Sequence, residues 1–210
     1  MKLEEDLKKA LTELRKDENK RKFNQTVDLI VNLQKYSHKK NPLNLIISLP
    51  HKIKDKKICA FFEIKNSNVD TITKSEFKKY SGKNEIKKLI KKYDFFIAQA
   101  SLMAGVATAF GKVLGPAGKM PSPQLGILVN VDDKEIAELK RRIDTSVKIR
   151  SKEASIKLAI GKENMGDKEI IENVLQVYNT LIKNLQREKD NIKNIEIKFT
   201  MTKPVKINIR

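Results

Sequence analysis

Residues 94–126, DFFIAQASLMAGVATAFGKVLGPAGKMPSPQLG, hold five of the chain's eight glycines and three of its six prolines. Such concentrated backbone punctuation narrows the possible folds, because glycine opens positive φ while proline fixes φ near about −65° and withholds an N–H donor. DFFIA predicts a short buried strand. Residues 101–110, rich in Ala and Met, predict a closely packed helix that tolerates Gly105 at modest cost. Gly111, Gly115 and Gly118, interleaved with Pro116, Pro121 and Pro123, then predict an ordered loop over residues 111–123.

The segments before this stretch follow two different periods. Leu3, Leu7, Ala10, Leu11 and Leu14 recur at helical spacing, which predicts an amphipathic helix over residues 2–17. In FNQTVDLIVNL, Val27, Leu29, Val31 and Leu33 alternate with polar neighbours, the period of a half-buried strand. NLIISL follows the Asn41-Pro42 turn and predicts a second strand, antiparallel to the first. The polar stretch after Leu49-Pro50-His51 reads as a crossing between domains. Beyond it come a strand KICAFFEI, a polar turn, a short TKSEF segment, a helix over 84–92, DFFIA, the helix and loop above, the apolar run ILVNV, and a helix opening at Asp132 with Glu135 as capping partner. Strands alternating with helices predict a small, mostly parallel α/β sheet. After Arg142 the strand pattern returns in TSVKI and ASIKLAI, followed by a helix over 168–188 and strands IEIKFTM and VKINI. Neither end of the chain alone has enough strands to bury a core. The expected architecture is α/β overall: residues 1–52 and 143–210 form one discontinuous α+β domain, and residues 53–142 form an inserted α/β, Rossmann-like domain. His51 and Lys52 on the outward crossing and Arg142 on the return are the expected hinge.

Lys and Arg outnumber Asp and Glu by 44 to 26, a net charge of +18 that suits a polyanion such as nucleic acid, although a lysine-rich surface also serves solubility. The insert and the remainder carry net +8 and +10, so charge does not say which part binds. Cys59 is the single cysteine, which excludes an internal disulfide and a cysteine-built zinc site and is compatible with a reducing cytoplasm. Between apolar neighbours it reads as a buried structural thiol. No run of about eighteen apolar residues suggests a membrane span, and the charged first twenty residues do not read as a secretory signal.

Catalytic patterns fail on inspection. A nucleotide-hydrolysing loop needs glycine where Val113 stands and Ser or Thr where Met120 stands, and no G-x-G-x-x-G follows a strand. His38 sits in a polar turn and His51 beside Pro50. Asp132 and Asp133 read as helix cap and first-turn charge more readily than as a catalytic pair. No metal site and no cofactor are expected.

FFIAQASLM followed by GKVLGPAGKMPSP resembles the family of large-subunit ribosomal protein L-one, the protein of the mobile ribosomal stalk, in its archaeal form. The resemblance implies a discontinuous α+β domain carrying most of the RNA-contacting surface, with an α/β domain inserted through two adjacent connections. RKFNQTVDL resembles the family's first-strand block, and KFTM the start of its Thr-Met-Gly motif. The implied RNA contacts are Lys22, Phe23, Gln25, Asn194, Lys198, Thr200, Met201 and Thr202, with Lys112 and Lys119 as secondary contacts on the insert. An aromatic or apolar platform packs on ribose and bases, lysine holds phosphate, and hydroxyl groups read the 2′-OH. Taken alone, Phe23 reads more readily as a strand-edge core residue and Met201 as a core methionine. Thr202 replaces the family's glycine, with Lys203-Pro204 after it, and Ala117 replaces a common arginine. The implied partners are the stalk of large-subunit rRNA, exit-site tRNA during its release, and the chain's own mRNA as a target of translational repression. The chain is expected to be monomeric outside the ribosome and not to be an enzyme. A diverged assembly factor of the same fold and a nucleotide-dependent enzyme are the competing readings.

Overall fold

The computed structural model describes residues 2–37, 41–80, 82–151 and 153–207. His38 and the end of the VKINI segment lie outside them. In chain order the elements are α1 (Lys2–Leu14), β1 (Thr26–Leu33), β2 (Asn44–Ser48), β3 (Ile58–Phe61), β4 (Asp70–Ile72), α2 (Lys83–Lys92), β5 (Phe95–Gln99), α3 (Met103–Ala117), β6 (Ile127–Leu128), α4 (Asp133–Thr145), β7 (Ser146–Arg150), β8 (Ser155–Lys162), α5 (Asp167–Asn184), β9 (Ile192–Phe199) and β10 (Val205–Ile207). Two compact units result: Met1–Ile53 with Thr145–Arg210 (unit 1), and Lys54–Asp144 (unit 2). Arg142 lies in the last turn of α4.

Unit 1 is built on an antiparallel sheet in the order β10-β9-β1-β8. Alternation in β1 buries Val27, Leu29, Val31 and Leu33 on one face, and α1 and α5 cover that face. Leu7, Leu11 and Leu14 of α1 and Ile170, Val174, Val177 and Leu181 of α5 complete the core. Burying a side chain of this size is worth about 1.5–3 kcal/mol, so the helical stripes hold both helices on the sheet. The expected β1–β2 pair does not form: β1 pairs with β8 and β9, while β2 pairs with β7. Alternation selects the face a strand buries but leaves its edges open to any complementary strand. His51 is tied to α5, its N–H donating to Asn173 Oδ1 (3.0 Å) and its Nε2 to Glu172 Oε2 (2.6 Å).

Unit 2 has a parallel sheet in the order β4-β3-β5-β6. All four residues of β3 are buried, as expected of a parallel strand packed on both faces. Phe61, Phe77, Phe96 and Phe110 form an aromatic cluster, with Phe61 and Phe110 centroids 5.0 Å apart. Burial pushes the Cys59 thiol up to about 12, so it stays protonated and inert at neutral pH. The polar turn after β3 contains β4, which its sequence did not announce, and TKSEF opens a 3-10 helix at Lys74–Tyr80. ILVNV yields a strand of only two residues.

The expected loop over 111–123 is corrected. α3 continues through Gly111, Gly115 and Pro116 to Ala117, because Val106, Phe110 and Leu114 at i, i+4 and i+8 are all fully buried. That burial outweighs about 1 kcal/mol for each helical glycine. The helix stops at Gly118, whose φ of 71° is left-handed, and the last carbonyls are met by Gly118 N–H to Gly115 O (2.9 Å) and Lys119 N–H to Leu114 O (3.0 Å). Gly126 is fixed by crowding: a Cβ there would lie 3.3 Å from Phe96 O and 3.2 Å from Ser122 N. α4 begins at Asp133, and its Oδ1 accepts from the amides of Asn66 (2.8 Å) and Asn68 (3.0 Å), so this carboxylate organises the β3–β4 connection.

Candidate nucleic-acid interface

The approach to β1 and the turn from β9 to β10 meet at one end of the unit 1 sheet, because β1 and β9 are register partners from Val27–Phe199 onward. Lys22 and Phe23 are exposed, Phe23 by 51%, as are Thr200 and Met201, the latter by 59%. A core role for Phe23 or Met201 is therefore removed. Two large apolar side chains kept in solvent beside lysine have the composition of a stacking platform.

Gln25 is the residue that assembles this surface. It was expected to touch RNA, but it is 0% exposed and contacts protein with every polar group. Its Nε2 donates to Asn19 O (2.9 Å) and its Oε1 accepts from Met201 N–H (3.1 Å). Its own N–H donates to Glu163 Oε2 (3.2 Å), and its carbonyl accepts from Glu163 N–H (2.9 Å). One buried residue thus joins the segment after α1 and the β9–β10 turn through its side chain and the β8–α5 turn through its backbone. Its role is positioning, and a bound RNA would not reach it.

Neighbouring polar groups hold the same geometry. Thr26 N–H donates to Thr200 Oγ1 (3.0 Å), which extends the β1–β9 ladder by one side-chain bond. Thr202 closes the turn: its Oγ1 accepts from Phe199 N–H (2.9 Å) and its N–H donates to Phe199 O (3.2 Å). Among the described residues, positive φ at a side-chain-bearing position is confined to Lys35 and Glu188, so the β-branched Thr202 sits without strain. Thr202, expected among the RNA contacts, instead shapes the turn, and its hydroxyl points back into the protein.

Three other expected contacts are placed differently. Asn194 lies on β9 six residues from Thr200, roughly 20 Å along the strand, opposite Asn32, with Nδ2 donating to Glu196 Oε1 (3.1 Å). It does not join the platform. Lys198 lies on the sheet face away from the helices, opposite Asp28. Burial raises the Asp28 carboxyl above its ordinary range, and Lys198 and Lys162 partly offset that. In unit 2, Lys112 is exposed on α3, but Lys119 is committed elsewhere. Its Nζ donates to Ile90 O and Tyr93 O, both at 2.7 Å, and so caps the C-terminus of α2. Burial lowers its ammonium below the ordinary lysine range, partly offset by Asp94. Lys119→Met is expected to destabilise unit 2 by about 1–3 kcal/mol through two orphaned carbonyls, read as faster amide exchange at the end of α2, with RNA binding by unit 1 unchanged.

Lys162 and Arg15 belong to the site and were not anticipated. A β-bulge between Val27 and Asp28 sets Lys162 opposite Thr26, where its Nζ donates to Thr26 Oγ1 (2.8 Å). Arg15 straps the β8–α5 turn to α1, donating to Asp167 Oδ1, Glu163 O and Met165 O, each at 2.7 Å. The signal was the glycine-bracketed GKENMG turn after a clear strand, whose partners lie about 140 residues away in sequence. Among the described residues no group of three His, Cys, Asp or Glu side chains could hold a metal ion. A shallow cavity of about 290 Å³ beside residues 65–71 has Asp70 as its only acid, already accepting from Tyr93 Oη (2.7 Å). No helix of the described residues is long and apolar enough to cross a membrane.

Comparison with known proteins agrees with the geometry. The model of the ribosomal protein L1p/L10e family matches residues 14–203. A large ribosomal subunit protein uL1 of Pyrobaculum arsenaticum is 41% identical over 197 residues, covering 89% of this chain and 86% of that protein. The protein of the same name from Thermoplasma acidophilum is 34% identical over 213 residues, covering 96% and 95%, and that of Pyrococcus abyssi 32% over 209 residues, covering 94% and 93%.

Proposed function

The chain belongs to the ribosomal protein L1p/L10e family, and from that membership we propose that unit 1 binds the stalk of large-subunit rRNA through Lys22, Phe23, Thr200 and Met201, with Lys162 and Lys198 beside them. As an archaeal-type member it is a structural constituent of the large ribosomal subunit and not an enzyme. Its work is therefore cytoplasmic, in the ribosome. The observation that carries the RNA reading is the exposure of Phe23 by 51% and of Met201 by 59% at the end of the sheet where the buried Gln25 holds the Met201 N–H. Exposed apolar side chains held on an ordered turn beside lysine suit a partner that covers them.

Recognition of this kind reads RNA shape, ribose and backbone more than base sequence. A messenger carrying a similar fold would compete for the same platform, which supports repression of the chain's own mRNA. Movement of the stalk as deacylated tRNA leaves the exit site follows if the chain stays on that rRNA element, with the region around His51, Lys52 and Arg142 as the hinge. Thr202 gives no reason to prefer a diverged assembly factor, because it closes its turn without strain.

Filter binding of a stalk rRNA fragment and an unrelated RNA of equal length, each at 50 and 200 mM salt, tests the reading. The stalk fragment should bind tighter. Its affinity should fall by roughly 10³ to 10⁵ across that range if six to ten phosphates are neutralised. Equal affinity for both RNAs, or a flat salt dependence, would overturn it.

A further inference from the structure

Unit 2 concentrates its charge on one face. Lys54–Asp144 contains 18 basic and 11 acidic residues, and residues 74–92 alone hold eight lysines against two glutamates. Six of the unit's seven net positive charges thus fall in nineteen residues. Packing leaves six of the lysines in solvent. α2 buries Ile86 and packs Leu89 and Ile90 inward, while the 3-10 helix Lys74–Tyr80 packs Phe77 and Tyr80 against the same core. Lys74, Lys78 and Lys79 of the 3-10 helix and Lys87, Lys88 and Lys91 of α2 are left exposed.

Their acids are spent elsewhere. Glu76 accepts from Thr73 N–H (3.1 Å) and pairs with Lys65 (3.1 Å), two contacts that hold its carboxyl below the usual range. Glu85 lies back over the first turn of α2, with Oε2 3.6 Å from where a Cβ at Gly82 would stand. Lys92 is drawn to Asp70 (3.7 Å) and to the Tyr93 ring. Lys74, Lys78, Lys79, Lys87, Lys88 and Lys91 form no ion pair among the described residues, although Lys79 also helps to hold the Glu76 carboxyl below the usual range.

From this charge and its lack of balance we infer that the Lys74–Lys79 and Lys87–Lys91 face of unit 2 binds the phosphate backbone of double-helical RNA, independently of sequence. The surface itself selects that partner. Among the described residues the exposed large apolar side chains are Phe23, Ile64, Val129 and Met201, none of them between 74 and 92. Phe77 and Tyr80 are packed on the core, so among the described residues the face offers no exposed aromatic on which to stack the bases of a single strand, no anchor for a protein interface, and no apolar stripe for a lipid surface. Lysines at i and i+4, such as 87 and 91, stand about 6 Å apart along the helix, comparable to the step between neighbouring phosphates of one strand. Lysine suits a contact that needs point charge without a fixed fork geometry. This inference does not depend on the unit 1 platform.

The test uses the full chain carrying Phe23→Ala and Met201→Ala, with and without Lys87→Gln, Lys88→Gln and Lys91→Gln, against an RNA duplex lacking stalk sequence. The chain with its lysines intact should retain salt-dependent binding. The three glutamines should lower affinity at least tenfold and reduce the slope of log affinity against log salt by about 2 to 3, while Lys→Arg at the same positions should preserve both. Unchanged affinity and slope in the glutamine variant would overturn the inference. Equal binding of polyglutamate and RNA duplex by the lysine-bearing chain would overturn the assignment to RNA. Loss of stalk binding in the parent of this series, with duplex binding intact, is the outcome expected of the unit 1 platform alone and separates the two claims.

Discussion

Gln25→Ala should cost the chain both stability and RNA binding, although Gln25 has no exposed surface with which to touch RNA. The substitution removes the acceptor of Met201 N–H and the donor to Asn19 O, and opens a cavity where the side chain was. Leaving a buried polar group unpaired costs about 1–3 kcal/mol. With the cavity added, the unfolding free energy of unit 1 should fall by about 2–4 kcal/mol, seen as a lower urea midpoint at unchanged m. Affinity for the stalk fragment should fall about tenfold or more, because the β9–β10 turn loses its tether and Met201 its fixed height. Gln25→Glu should be worse, since it places a carboxylate in a buried site and sets an oxygen against the Asn19 carbonyl that Nε2 now serves. A wild-type midpoint and affinity in Gln25→Ala would show that the turn is held without this residue. A double-mutant cycle between Gln25→Ala and Met201→Ala should reveal coupling, because the second change has less to remove once the turn is loose.

Phe23→Ala and Met201→Ala should behave in the opposite way, with large binding losses and near wild-type folding. Both side chains are more than half exposed, so the midpoint should move by no more than about 0.5 kcal/mol. A stacked aromatic is worth about 1–3 kcal/mol per base, so Phe23→Ala should weaken stalk binding roughly 10- to 100-fold, with a similar direction and a smaller size for Met201→Ala. The loss should persist at high salt, where phosphate contacts weaken and stacking does not. If both variants fold and bind like the parent, the platform is elsewhere. In the proposed site Phe23 and Met201 meet the RNA, while Gln25 holds the turn that carries Met201.

Local pattern carried far in this chain. The alternation in FNQTVDLIVNL and the helical leucines of the first segment each identified which side chains would be buried, because burial follows a period of 2 or 3.6 set by backbone geometry. The FFIAQASLM and GKVLGPAGKMPSP blocks identified the family, and the α/β class with it. Glycine and proline content misleads where a core lies beneath the segment. Gly111, Gly115 and Pro116 lie within α3 because Phe110 and Leu114 have somewhere to go, a fact that residues 111–123 do not contain. The partner of β2 was misread for a related reason, since its true neighbour β7 lies about a hundred residues on.

By itself, then, the sequence determined which faces are apolar, where the charge is concentrated, and which family the chain resembles, because each of these is written in neighbouring residues or in composition. Only the tertiary structure decided that Gln25 is buried while Phe23, two residues earlier, is exposed, and that Lys119 serves the carbonyls of Ile90 and Tyr93. Those outcomes depend on groups brought together from 26 to 176 residues apart. A buried hydrogen bond is favourable only once both partners have left water, and no local period records where the second partner will come from.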